Sequence, residues 1–572
     1  MKSFLPKTDI AEILYQHRIL LSIMFVAISI RIWGIWNADS TDEYNEVFEA
    51  LRVCSGHLNY ERWFKRFYLY ILSFEYGFYY GLGWVFHQFS SPSDFAAKVI
   101  RDLTPLFLIG RITSAVMGTF SIFMTYLIGA HLFSRNIGLT AALFLCFNVV
   151  NVELSHYARV DATLCAVVLI AFYFIVKILQ NDDGRAVKYY ALAGIFMGIA
   201  FQNKIPSIIL VIPFMYAHVA ANGFSLSVYT IMNRRMVCFA GLFIVGMIIG
   251  NPAVLFAPVK FMQGVLATGD AFTTPINETK SEHIGYISYV IYFFRELGIP
   301  LSLLAAFSLW KASISRNKED LLLLSFIVPF YGLMGASRYM VGNSYMIPLM
   351  PFLYILCAKY LLLSLNRLRR EGTVSQRFLV LSMFVLLVTP MLNTGKLLFS
   401  FSGENTRYAA KHWIELNIPF GSRILMDSGK TINSTAPLIA QNRDSIMRSI
   451  GDIEENLVTG TLKDPTKMVD KYSVNYYKML LETVPSESYD LTSTKFGLDV
   501  QSIDYYRKGG FQYFIISDSM KRSRTDEYFT RTHPDISEFY SSLDSDPGVR
   551  LIKMIAPSIT SSGDVFYIYK VL

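Results

Sequence analysis

Two adjacent carboxylates, Asp42 and Glu43, follow the first long apolar run and open the polar stretch T-D-E-Y-N-E-V-F-E-A-L. A carboxylate beside a membrane-length apolar run is costly to keep unless water, a partner or a substrate meets it. It is also the group that takes a proton from an attacking hydroxyl, which glycosyl transfer to an alcohol requires. Further groups of the same kind recur along the chain. Glu75 interrupts an aromatic run. N-V-E-L-S-H-Y-A-R-V-D-A supplies Glu153, His156, Arg159 and Asp161. F-Q-N-K-I-P supplies Lys204, and Arg338-Tyr339 follow a later apolar run. Carboxylates suit deprotonation of an acceptor. Cations suit a lipid phosphate, whose charge must be stabilised as it leaves.

Each of these residues also has a structural reading. Asp42 or Glu43 could cap a helix. Asp161 could pair with Arg159, and Arg338 could be an ordinary loop charge. Glu75 and Lys204 could extend their polar ends to water from an apolar surface. No His pair has metal-ligand spacing, so no fixed cofactor is expected and a divalent metal stays an open alternative.

These groups sit in a chain of 572 residues that is 53% hydrophobic, 15% aromatic and only 17% charged. Soluble domains carry about a quarter charged residues, so the balance points to an integral membrane protein. The net charge of +8 is dispersed over connectors. It reads as orientation signal and lipid attraction, not as a nucleic-acid surface. Four of the five cysteines lie in apolar runs, which excludes a disulfide framework.

A spanning helix takes about 20 mostly apolar residues. Eleven runs qualify as candidates: 19–36, 105–130, 136–152, 161–178, 189–203, 205–221, 236–255, 297–312, 321–336, 345–363 and 378–395. A twelfth, at 67–88, carries Glu75 and many tyrosines and reads as a juxtamembrane helix. Basic connectors occur at Arg135, Lys177-Arg185-Lys188, Arg234-Arg235, Lys311-Arg316-Lys318 and Arg367-Arg369-Arg370-Arg377. All five fall on the cytoplasmic side with the N-terminus only if 67–88 does not cross. Asp42, Glu75, Asp161, Lys204 and Arg338 then share the outer side.

The chain from 396 onward is more polar and patterned differently. R-I-L-M-D (423–427), Y-F-I-I-S-D (513–518), V-R-L-I-K-M-I (549–555) and V-F-Y-I-Y-K-V (565–571) predict strands. Residues 406–416 and 535–543 predict helices, giving a small α/β domain. The expected organisation is a membrane domain over 1–395, with an outer loop at 37–104, and an extracytoplasmic α/β domain over 396–572.

In this order the motifs resemble those of the dolichyl-phosphate-mannose protein mannosyltransferase superfamily, in its prokaryotic branch, glycosyltransferase family 39. They are also similar to the lipid A aminoarabinose transferases, which share the GT-C fold. The resemblance rests on Asp42-Glu43, R-I-T-S-A-V-M-G-T (111–119), S-H-Y-A-R-V-D (155–161), G-I-F-M-G-I-A-F-Q-N-K (194–204), Arg338-Tyr339 with I-P-L-M-P (347–351), and N-T-R-Y-A-A-K-H-W-I-E-L (405–416). It implies a polytopic α-helical membrane protein with about 11 spans and juxtamembrane helices. It implies a polyprenyl-phosphate sugar donor used at the outer face of the inner (plasma) membrane, and inversion at the transferred carbon. Asp42 would be the base, with Glu43, Asp161 and Glu75 as further catalytic candidates. Lys204, Arg338 and Arg111 would meet the donor phosphate. The proline pair the aminoarabinose enzymes carry near the second loop carboxylate is missing around Glu75, and V-G-N-S separates Arg338-Tyr339 from the prolines. The expected partners are the donor, membrane lipids and a glycan, lipid or protein acceptor. A lipid or glycan flippase is the rival reading, and an outer α/β domain merely anchored by its helices ranks behind it. Transporters usually place polar groups at mid-membrane, whereas these lie at helix ends.

Overall fold

The computed structural model describes residues 10–54, 56, 66–180, 186–225, 227, 233–273, 284–337, 341–371, 375–427, 436–458, 471–494 and 497–572. The chain divides into two compact units. One comprises residues up to Trp33, Ser55–Ser73 and Gly110–Leu397; the other comprises Gly34–Cys54, Phe74–Ile109 and Leu398–Leu572.

The first unit is helical. Among the described residues four helices are long and apolar enough to cross a membrane: Thr104–Leu132, Val160–Leu179, Gly285–Ser315 and Val380–Ser400. The remaining candidate spans coincide with helices that are shorter, less apolar or interrupted. The run at 136–152 is broken: Arg135–Cys146 ends, and Val149–Leu154 begins from Asn148, whose side chain accepts a hydrogen bond from the Asn151 amide at 2.8 Å. Gly285–Ser315 is kinked at Gly298, whose φ of +75° suits glycine because it has no Cβ.

Three helices build the candidate site: α1 (Val160–Leu179), α2 (Ala186–Asn203) and α3 (Arg234–Gly250). α2 and α3 touch backbone to backbone. A Cβ at Gly198 would collide with the Phe243 carbonyl, and one at Gly246 with the Ile195 carbonyl. Small residues four apart (Gly194 and Gly198, Gly246 and Gly250) are the pattern that allows such an approach between apolar helices. α2 stops at Asn203. Lys204 is extended (φ −150°, ψ 132°), and Pro206 starts a 3-10 turn over Ile205–Leu210, where a missing N–H is harmless.

The second unit is built on a five-stranded sheet, β1 (Arg423–Met426), β2 (Asp490–Ser493), β3 (Tyr513–Ser517), β4 (Val549–Ile555) and β5 (Phe566–Val571), in the order β2-β1-β3-β5-β4. β2, β1 and β3 are parallel; β5 and β4 are antiparallel additions. β3 is buried along its whole length because both faces are covered. Phe514 and Ile516 pack with Tyr506, Phe539 and Tyr540 on one side, and Tyr513 and Ile515 with Ile414 and Ile568 on the other. The predicted strands at 423–427, 513–518, 549–555 and 565–571 all form, as do helices Thr406–Asn417 and Pro534–Ser542.

Candidate active site

In the second unit, helix Thr41–Cys54 carries Asp42 and Glu43 in its first turn, where negative charge complements the exposed amides. Asp42 is half-buried. Glu43 is buried and caps the helix start: its Oε2 accepts from the Ser40 amide at 3.1 Å, and its own amide donates to the Ser40 carbonyl. Glu43, Glu46 and Glu75 all lie within electrostatic range of the buried phenol of Tyr76. Glu46 is a member that the sequence reading passed over. The helix is fastened from below by Arg407 of the N-T-R-Y motif. The Arg407 guanidinium lies 3.3 Å from Asp39 Oδ2, 4.6 Å from the Tyr44 ring centre, and donates from Nε to the Ala436 carbonyl at 2.6 Å. That arginine is buried, so the pin is shielded from competing water.

In the first unit the S-H-Y-A-R-V-D motif forms the turn into α1. The His156 ring lies between the carbonyls of Val152 and Trp33 (2.8 and 2.9 Å) and braces that turn. Arg159 precedes α1, and Asp161 sits in its first turn. Lys204 Nζ lies 2.5 Å from Asp161 Oδ1, and Arg159 Nε lies 3.3 Å from Asp161 Oδ2. The Lys204 ammonium also stands 5.0 Å from the Tyr345 ring centre. Two cations share one buried carboxylate. Lys204 and Tyr345 border a narrow, mainly apolar cleft walled by Leu164, Val168, Phe330, Met334 and Pro348.

Polar contacts continue from this cluster. Ser114 Oγ lies 3.4 Å from the Arg159 carbonyl and 3.3 Å from the Tyr68 hydroxyl, and the Tyr68 amide donates to Asn203 Oδ1 at 3.2 Å. Ser114 belongs to the same motif as Arg111. Arg111 is buried and its charge acts on His156. Arg338 lies outside the described residues. The structure thus joins Asp161 to Lys204, and puts Glu43 and Glu75 in electrostatic range of the same phenol, Tyr76. Among the described residues no group of three or more His, Cys, Asp or Glu side chains is gathered closely enough to hold a metal ion.

The same architecture occurs in ArnT from Cupriavidus metallidurans in the apo state: TM-score 0.50 at 12% identity, covering 96% of this chain and 97% of that one. The chain has the GT-C fold. A family model described as dolichyl-phosphate-mannose-protein mannosyltransferase matches residues 106–254, the stretch holding Arg111, Arg159, Asp161 and Lys204. ArnT bound to undecaprenyl phosphate aligns with TM-score 0.47 at 12% identity over 96% of this chain and 98% of that one. The Archaeoglobus fulgidus oligosaccharyltransferase tethered with an acceptor peptide aligns with TM-score 0.49 at 12% identity over 97% of this chain and 74% of that one. No curated relative matches. The GT-C fold and the four apolar helices make this a membrane-embedded protein.

Proposed function

We propose that the chain is an integral-membrane glycosyltransferase that moves a hexose or pentose from a polyprenyl-phosphate donor to a hydroxyl of a glycan, lipid or protein acceptor. The observation that carries this reading is the Lys204–Asp161–Arg159 cluster at the mouth of an apolar cleft. The likeness in fold to ArnT, which binds undecaprenyl phosphate, supports a ligand of that class.

In the reaction, the acceptor oxygen forms a bond to the anomeric carbon while the bond from that carbon to the phosphate oxygen breaks. Asp42 receives the hydroxyl proton, and polyprenyl phosphate leaves. One base and no covalent intermediate give inversion. Lys204 and Arg159 neutralise charge growing on the phosphate, where prepositioned donors are most effective. Asp161 holds the two cations in place before the donor arrives. Arg111 and Arg338 add positive charge for the phosphate, and Glu43 and Glu75 set the field around the base. The proposed topology has eleven spans over 1–395, a cytoplasmic N-terminus and an extracytoplasmic domain over 396–572, in the plasma membrane.

The test is single-turnover release of polyprenyl phosphate from a polyprenyl-phosphate hexose by purified protein in nanodiscs. Asp42→Asn keeps the shape and removes the base. It should slow transfer by about 100-fold or more, while donor binding and melting temperature stay at wild-type values. Wild-type turnover by that variant would exclude Asp42 as the base. Absence of any release by the wild-type protein, with a panel of acceptors, would reject the transferase reading.

A further inference from the structure

Beside the cationic cluster lies a second set of side chains that the mechanism above leaves unused. Gln202, Asn203, Ser207 and Asn251 are all buried. Both polar atoms of the Gln202 amide lack a hydrogen-bond partner, as do Asn203 Nδ2, Asn251 Nδ2 and Ser207 Oγ. Asn203 and Asn251 are each anchored through the oxygen only. Asn203 Oδ1 accepts from the Tyr68 amide at 3.2 Å; Asn251 Oδ1 accepts from the Ala253 amide at 3.1 Å and the Tyr70 hydroxyl at 3.4 Å. Both NH2 groups are therefore left to face something else.

A buried polar group without a partner costs about 1–3 kcal/mol, and native structures hold few of them. Four such residues lie together at the ends of α2 and α3. They cluster around the end of α2. A Cβ at Gly250 would stand 2.8 Å from Gln202 Cβ, which puts Gln202 against the end of α3, next to Asn251. Asn203 immediately precedes Lys204 and connects through Tyr68 and Ser114 to Arg159. Ser207 lines the same cleft as Lys204.

The free groups are neutral. Amide NH2 groups donate, an amide oxygen accepts, and a serine hydroxyl does both. Their complement is a set of alcohol hydroxyls, each of which donates and accepts. An ammonium would call for a carboxylate, and Asp161 is already shared by Lys204 and Arg159.

Resting on the donor reading above, we propose that Gln202, Asn203, Ser207 and Asn251 form the specificity-determining part of the donor site, and that they read the hydroxyls of a neutral sugar carried on the lipid phosphate.

The test compares three probes on purified full-length protein in nanodiscs: bare polyprenyl phosphate, the same lipid phosphate carrying glucose or mannose, and the same carrying an amino pentose. Wild-type protein should bind a hexose-bearing lipid at least 10-fold more tightly than the bare one, and the amino-pentose lipid no more tightly than the bare one. Gln202→Leu should bring the hexose advantage to within 2-fold of unity while leaving affinity for bare lipid phosphate unchanged. Asn203→Ala should do the same to a lesser degree. Gln202→Leu should melt at or above the wild-type temperature, since it removes an unpaired buried amide.

A wild-type protein that binds all three probes equally would overturn sugar reading here, as would a Gln202→Leu protein that keeps the full hexose advantage. A marked fall in the melting temperature of Gln202→Leu with the hexose advantage intact would assign the amides to structural water. Failure of the wild-type protein to bind even bare polyprenyl phosphate is a separate outcome, and it removes the donor reading itself.

Discussion

Asp161 in the membrane unit and Asp427 in the sheet-bearing unit are equally buried, yet they are handled in opposite ways. Asp161 is flanked by Lys204 and Arg159. Asp427, just past the end of β1, makes no ion pair among the described residues. Its Oδ1 accepts hydrogen bonds from Tyr540 Oη at 2.9 Å and Thr494 Oγ1 at 3.2 Å, and Oδ2 has no partner. Burial pushes its pKa up to about 7, against the lowering effect of those two hydrogen bonds. One aspartate is buried between two cations. The other is a carboxyl that can be neutral, tucked beside a sheet. The difference shows that burial alone does not decide how a carboxylate is accommodated: one is matched by cations, the other by hydroxyl donors.

The largest effect expected from this contrast is at the ion-paired site. Lys204→Ala removes one of the two cations on the buried Asp161 carboxylate, and removing one partner of a buried pair costs about 3 kcal/mol. Melting in detergent should therefore fall markedly for Lys204→Ala. It should recover part of the loss in Lys204→Ala/Asp161→Asn, where the buried carboxylate is gone while Arg159 stays charged. Equal melting temperatures for the single variant and the wild type would show that the pair is not energetically coupled.

The second effect is a pH dependence confined to the sheet-bearing unit. The folded pKa of Asp427 lies above the unfolded value of 3.8, so the folded state holds the proton more tightly. The stabilisation is complete below about pH 4, is lost as pH rises towards about 7, and is level above that. The span corresponds to a few kcal/mol, at about 1.4 kcal/mol per pKa unit. Hydrogen exchange of β1 and β3 amides, after correction for intrinsic exchange rates, should show progressively weaker protection from pH 4 to pH 7. Asp427→Asn should flatten that slope. A slope that persists in Asp427→Asn would place its origin in another group.

Much of the sheet was legible because β1, β3, β4 and β5 are apolar and β-branched or aromatic runs between turn residues. β2 was not: D-L-T-S is four residues long with only Leu491 buried, and its strand character comes from pairing with β1. The helices of the membrane unit were legible as apolar runs, but their ends were not. The break at Phe147-Asn148 has a signal, an asparagine that caps the next helix, which length and hydropathy do not weigh. Asp161 and Lys204 were legible as charges at helix ends, but their pairing depends on the close approach of distant segments. Gln202, Asn203 and Asn251 carried no signal, because a neutral amide is ordinary until burial removes its partners.

The central claim is that Lys204 and its partners receive a polyprenyl phosphate. Native mass spectrometry of wild-type and Lys204→Ala protein titrated with undecaprenyl phosphate tests it most directly. The account predicts a saturable single lipid phosphate on the wild type and at least a 10-fold weaker affinity for the variant, with the folded fraction of each preparation determined in parallel. Equal affinity of the two folded proteins would contradict it.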